Sequence, residues 1–371
     1  MKISVILGTR PEIIKMSPVI RELEKQQLNY FIIHSGQHYS YNMDKVFFEQ
    51  LKIPKPKYNL RIGSGTHAEE TGKMLIGIEK ILQKEKPDII LVEGDTNTVL
   101  AGSLAAVKLL IKVGHVEAGL RSYDREMPEE INRMLTDHIS DFLFAPTQKA
   151  KENLLKEGIS EHKIFVTGNT IVDAVFQNVK LAEEYIDPPY PEYFLVTLHR
   201  QENVDSPLRL KKIIQGLELV NKHFRVPIIC PIHPRTRKRM IQFNICANKL
   251  ELMDPLDYLS FLKLLHKAKL VLTDSGGVQE EACILNVPCV TLRSNTERPE
   301  TIEIGSNILA GVEPESILEK TIVMINKKRK WKNPFGDGKA AERIIKIIKH
   351  KNMTANNRPQ TSLKAWMKMI R

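Results

Sequence analysis

The sequence predicts an α/β protein made of two doubly wound, Rossmann-like parallel sheets. Three observations carry that expectation. Short apolar runs alternate with helical patterns along the chain. The runs are apolar throughout instead of alternating with polar residues, as in strands covered on both faces. Six such runs fall in each half, and 371 residues exceed one ordinary core.

In the first half, strands are expected near 2–8, 29–34, 88–93, 112–116, 141–145 and 163–167. In the second half they are expected near 193–198, 226–231, 250–253, 268–273, 287–292 and 306–310. Helical periodicity fills most gaps, for example Ile13 to Gln26, Thr98 to Leu110 and Leu208 to Lys222. The break between domains is expected after Asn169 or in the Pro-rich Asp187-Pro188-Pro189-Tyr190-Pro191, giving domains 1–170 and 171–349.

Composition narrows the class. Hydrophobic residues make up 42% and charged residues 27%, as in a soluble globular protein. No window approaches the ~20 uninterrupted apolar residues of a membrane span. The run at Met1 to Gly8 is too short for a signal peptide. The four cysteines, Cys230, Cys246, Cys283 and Cys289, form no CxxC and no metal spacing. Reduced core cysteines, a cytoplasmic location and no metal are therefore expected. The formal charge is +11. Its lysines are scattered among glutamates on helical patterns, and the one basic cluster, Lys327-Lys328-Arg329-Lys330, has only Trp331 beside it. No nucleic-acid partner and no membrane partner are expected.

In doubly wound folds ligands bind at the carboxyl ends of the strands. Here those ends carry charged and small residues at nearly every position, which packing does not explain. The most informative is Leu272 to Glu281, where Ser275, Gly276 and Gly277 sit at a strand-to-helix turn. Free N–H groups and the positive end of a helix dipole meet there, and small residues let an anion approach. Glu281, further into the helix, suits ribose hydroxyls, so phosphate and ribose together point to a nucleotide. Arg10 and Lys15 flank the first turn and suit a diphosphate, or else a surface pair with Glu12. Asp95, Glu117, Glu129 and Glu130 form a carboxylate set that suits acid and base chemistry. For Asp95 a helix N-cap, and for Glu129 and Glu130 a first-turn acid, are the competing readings. His199 and His233 each end a strand, with phosphate contact, proton transfer or a structural role open to them. Gly63 to Ala68 matches a GxGxxA pattern but follows a Pro- and Lys-rich loop, so it is discounted. No GxxxxGK[ST] occurs.

Taken in order, these stretches resemble the non-hydrolysing UDP-N-acetylglucosamine 2-epimerases. The first half matches in Gly8-Thr9-Arg10-Pro11-Glu12, Ser35-Gly36-Gln37-His38, Gly94-Asp95-Thr96, His115 through Arg121 and Pro128 through Arg133. The second half matches in His199 through Asn203, Pro231-Ile232-His233-Pro234, Thr273 through Glu281, Thr296 through Glu300 and Asn333 through Gly338. The resemblance implies a GT-B architecture, with two Rossmann-like domains facing across a cleft and a C-terminal segment, 350–371, returning to the first. It implies a cytoplasmic homodimer that needs no cofactor and interconverts UDP-GlcNAc and UDP-ManNAc for glycan synthesis. UDP is eliminated to give 2-acetamidoglucal and then added back. Asp95, Glu117 and Glu129 become catalytic carboxylates, supported by His233. Arg10, Ser275, Gly276, Gly277 and His233 hold the diphosphate, Glu281 the ribose, and Leu256 to Phe261 the uracil. Lys15, Arg133 and Arg298 match further ligand positions. Leu256 replaces a Gln found in some bacterial members. Gln37, His38, Glu130 and Arg200 match a second, activating UDP-GlcNAc site. A hydrolysing 2-epimerase and a GT-B glycosyltransferase are the rival readings.

Overall fold

A computed structural model describes residues 1–36, 47–185 and 187–356, the side chains only as far as 351. Two compact units emerge, one of Met1–Asp173 with the segment from Gly336, the other Ala174–Phe335. The expected boundaries were 170 and 350.

The first unit holds seven parallel strands: β1 Lys2–Leu7, β2 Asn29–His34, β3 Tyr58–Asn59, β4 Ile89–Glu93, β5 Lys112–Val116, β6 Phe142–Ala145 and β7 Ile164–Val166. Their order is β3-β2-β1-β4-β5-β6-β7. The second unit has β8 Phe194–Thr197, β9 Ile228–Pro231, β10 Glu251–Met253, β11 Leu270–Thr273, β12 Cys289–Thr291 and β13 Asn307–Leu309. Their order, β10-β9-β8-β11-β12-β13, repeats the same winding. All twelve expected strands are present. The addition is β3, a two-residue strand pairing with the end of β2.

The apolar runs are strands because both faces are covered. Every residue of β4 is buried, and Ile3, Val5, Ile6 and Leu7 of β1 are fully so. Strand order reverses beside β1 and beside β8, so helices leave these strands toward opposite faces and the turns at their carboxyl ends diverge. Gly8, just after β1, is required by close approach. A Cβ there would lie 2.1 Å from Thr98 Oγ1 and 2.7 Å from Ser35 Oγ.

Several local readings resolve. Thr96, not Asp95, caps the helix Asn97–Lys108, its side chain accepting from the Val99 N–H at 3.4 Å. Glu129 and Glu130 occupy the first turn of the helix Pro128–Ile139. The discounted glycine pattern leads into the helix His67–Glu85, which Thr66 and Glu69 open with a reciprocal capping box. The helix Ala340–Asn356 packs on the helix Arg10–Lys25 of the first unit. Asp173 anchors its start, accepting from the Ala340 and Ala341 N–H groups at 3.1 and 3.0 Å. Cys230, Cys283 and Cys289 are buried free thiols. Among the described residues no helix is long and apolar enough to cross a membrane.

Candidate active site

The first unit gathers its charges where β1, β4 and β5 end. Glu93 closes β4 and Glu117 follows β5. Lys15, on the helix Arg10–Lys25, reaches both. Its Nζ lies 3.0 Å from Glu93 Oε1 and 2.7 and 2.6 Å from the two Glu117 oxygens. Asn169 also donates to Glu117, at 3.2 Å. Glu117 stands at φ 67°, a left-handed conformation uncommon outside glycine, and these contacts hold it there. Burial pushes the Glu93 carboxyl well above its usual range, with Lys15 pulling the other way. Burial likewise raises Glu12 to about 7, against hydrogen bonds from Thr96, Gly8 and Thr9. Glu12 accepts the Gly8 N–H in place of the alternative surface pair with Arg10 or Lys15. The Arg10 guanidinium instead lies over the Phe47 ring, 5.1 Å from its centroid.

Asp95 pairs with Arg133, which also meets Glu130 at 2.8 Å. Asn132 donates to the Asp95 carbonyl at 2.9 Å. Glu129 is exposed and shares with Asp95 the wall of a cavity of about 300 Å³. His67, Glu70 and Asn97 line it too. Glu130 is buried, and its oxygens accept the Ser122 and Tyr123 N–H groups, each at 3.0 Å. Its carboxylate thus shapes the loop before its own helix. Gln37 and His38 lie outside the described residues.

In the second unit, Ser275 caps the helix Gly276–Ile284, accepting from the Val278 N–H at 3.5 Å. A Cβ added to Gly277 would meet nothing within 4 Å, so the turn is open to an anion. Asp274 is fully buried and accepts from the His199 and Arg200 N–H groups at 3.1 and 3.0 Å. It also accepts from the Asn203 side chain at 3.2 Å. The turn after β8 is thereby fixed beside the turn after β11. His199 and His233 stand with ring centroids 6.2 Å apart. His233 Nδ1 accepts the Arg235 N–H at 3.1 Å, so in the neutral ring the proton sits on Nε2, available to donate. Burial holds His199 below the usual imidazole range, with Asp274 opposing. Glu281 is buried and pushed up to about 7 by that burial, the Tyr258 side chain opposing. Leu256 and Phe261 pack half-buried against this unit's core. Arg298 pairs with Glu280 at 2.9 Å. Among the described residues no cluster of His, Cys, Asp or Glu could hold a metal ion.

A family model described as UDP-N-acetylglucosamine 2-epimerase matches residues 21–349. The chain belongs to that family. It is 61% identical over 364 residues to the UDP-N-acetylglucosamine 2-epimerase of Methanocaldococcus jannaschii, covering 94% of this chain and 99% of the relative. The crystal structure of the Methanocaldococcus jannaschii protein in complex with UDP-GlcNAc and UDP superposes with a TM-score of 0.84 at 60% identity, covering 94% of this chain and all of that one. A relative from Pseudomonas aeruginosa, a UDP-2,3-diacetamido-2,3-dideoxy-D-glucuronate 2-epimerase, is 43% identical, covering 94% of this chain and 99% of its own. The fold is thus the GT-B type of these epimerases.

Sequence reasoning gave no role to Glu93, Asp274 or the buried His115. Glu93 had a visible signal, a carboxylate closing the apolar run Ile89 to Val92. Lys15, expected at a diphosphate, is held by two carboxylates. Removing its ammonium takes away the cation that these two buried carboxylates share. Lys15→Met is therefore expected to lose about 3–5 kcal/mol of stability at pH 8. The loss shrinks toward pH 5, because the Glu93 carboxyl, whose folded-state pKa is raised, takes up its proton as pH falls. Urea unfolding at both pH values checks this, and equal losses would contradict it.

Proposed function

We propose that this chain epimerises UDP-N-acetylglucosamine at C2 to UDP-N-acetylmannosamine without net hydrolysis. The observation that carries the reading is the carboxylate set of the first unit. Asp95 and Glu129 share one cavity wall, and Glu117, after the neighbouring strand β5, is held with Glu93 by Lys15. A transferase has no need of three such groups. The crystal complex of the 60% identical relative with UDP-GlcNAc and UDP supports the same ligands here.

In this reading the second unit holds UDP. The open Ser275–Gly277 turn receives the diphosphate, with His233 Nε2 as a donor, and Glu281 receives the ribose hydroxyls. The half-buried Leu256 and Phe261 flank the uracil. The first unit acts on the sugar. The C2 proton is not acidic in the ground state, so simple deprotonation and return is unattractive. A carboxylate takes the C2 proton as the C1–O bond breaks. The C–H electron pair forms the C1=C2 bond of 2-acetamidoglucal, and UDP leaves with the C1–O pair. In the return step UDP oxygen attacks C1 and a carboxylic acid delivers a proton to the other face of C2. Arg133 beside Asp95 and Lys15 beside Glu117 orient these two groups. The enzyme works without an added redox cofactor, as a cytoplasmic homodimer that supplies ManNAc units for glycan synthesis.

Incubation with UDP-GlcNAc is expected to accumulate UDP-ManNAc with no free sugar, followed by proton NMR. Free ManNAc with UDP would assign the hydrolysing reaction instead. Glu117→Gln is expected to keep its UDP affinity within about threefold while kcat falls by about 10²–10⁴. Normal turnover by that variant would remove Glu117 from the mechanism.

A further inference from the structure

His115 lies inside β5, and its ring is almost completely buried beside an equally buried Asp137. Its Nδ1 is 2.7 Å from Asp137 Oδ1, and its Nε2 is 2.8 Å from the Gly94 carbonyl oxygen. A carbonyl oxygen accepts only. A carboxylate held by an arginine is ionised and accepts only. A neutral imidazole has one N–H and would leave one of these short contacts without a proton.

The surrounding contacts fix Asp137 as an acceptor. Arg121 Nη2 is 2.7 Å from Asp137 Oδ2, and its Nε and Nη2 meet the two Glu157 oxygens at 2.7 and 2.6 Å. Against its burial, His115 and Arg121 both hold the Asp137 carboxyl below its usual range, so Asp137 accepts from each of them.

The contacts of this cluster are with the turns that carry the chemistry. His115 holds the carbonyl of Gly94, the residue before Asp95. Asp137 Oδ2 accepts the N–H of Gly119, two residues beyond Glu117, at 3.2 Å. Gly94 and Gly119 both adopt left-handed backbone, at φ 84° and 83°, so each turn can accept a fixed anchor at this point.

We propose that His115, doubly protonated between Asp137 and Gly94, is a positioning residue that sets the spacing of the Asp95 and Glu117 turns. It touches no substrate and acts through those two carboxylates. The inference rests on the proposed epimerase reading for its consequence in catalysis, but not for its charge state.

The test uses the full chain labelled with ¹⁵N-histidine at pH 7.5, with His115 identified by the signals lost in His115→Gln. Both ring nitrogens are expected to be protonated. In His115→Gln, kcat is expected to fall about 100-fold through misplaced carboxylates. KM and the affinity for UDP stay within about threefold. A purely stabilising residue would instead lower the melting temperature and leave kcat of the folded variant unchanged. One unprotonated ring nitrogen, or wild-type kcat in folded His115→Gln, overturns the proposal. Should that variant not fold, Asp137→Asn identifies the same ring by its shifted signals. The protonation result then decides. An unmodified chain with no epimerase turnover would defeat the functional reading and leave the nitrogen spectrum to judge the charge state alone.

Discussion

One ammonium group, that of Lys15, offsets two carboxylates buried at the ends of neighbouring strands, and the first unit's chemistry depends on it. Glu93 ends β4 and Glu117 directly follows β5, two strands that run side by side in parallel. Parallel pairing brings both strand ends to the same edge, so their charges meet wherever both are acidic. Without a cation this arrangement would repel itself and lose the hydration of both groups. With Lys15 it becomes a fixed platform, strong enough to keep Glu117 in left-handed backbone. Asp95 is served in the same way by Arg133, and the His115–Asp137–Arg121 cluster holds the two turns from beneath.

The two units share one winding but divide the work by their turn residues. In the first unit the strand ends carry glutamate and aspartate, paired with Lys15 and Arg133. In the second they carry glycine, serine, histidine and arginine around the buried Asp274. That carboxylate faces inward and spends its charge on backbone N–H groups, which leaves the outer side of the turn with donors. A polar turn that organises donors suits an anion. A polar turn that organises carboxylates suits proton transfer. Equal topology therefore does not imply equal chemistry.

Much of this was legible in the sequence because parallel strands buried on both faces leave unbroken apolar runs. β3 was not, since two residues paired only along one edge carry no periodic signal. Asp95 resembled a cap because it precedes a helix, but only the backbone geometry shows that Thr96 has the capping position. The return of the chain to the first unit was expected from 350 and begins at Gly336, because the amphipathic pattern of Ala340–Asn356 reports one apolar face and not which unit covers it. The site residues at strand ends were visible as types. Their partnerships were not: Lys15 meets Glu117 across 102 positions, and His115 meets Asp137 across 22. Such pairs follow from the sheet order, which local pattern does not determine.

The central claim is that carboxylates of the first unit exchange the C2 proton of a UDP-sugar through an eliminated intermediate. Turnover of UDP-GlcNAc in deuterated water measures this directly. The account predicts that deuterium enters C2 of UDP-ManNAc at every conversion and accumulates in recovered UDP-GlcNAc as equilibrium is approached, with none at other ring carbons. UDP-ManNAc that retains protium at C2 would contradict it, because inversion would then have occurred without proton exchange on these carboxylates.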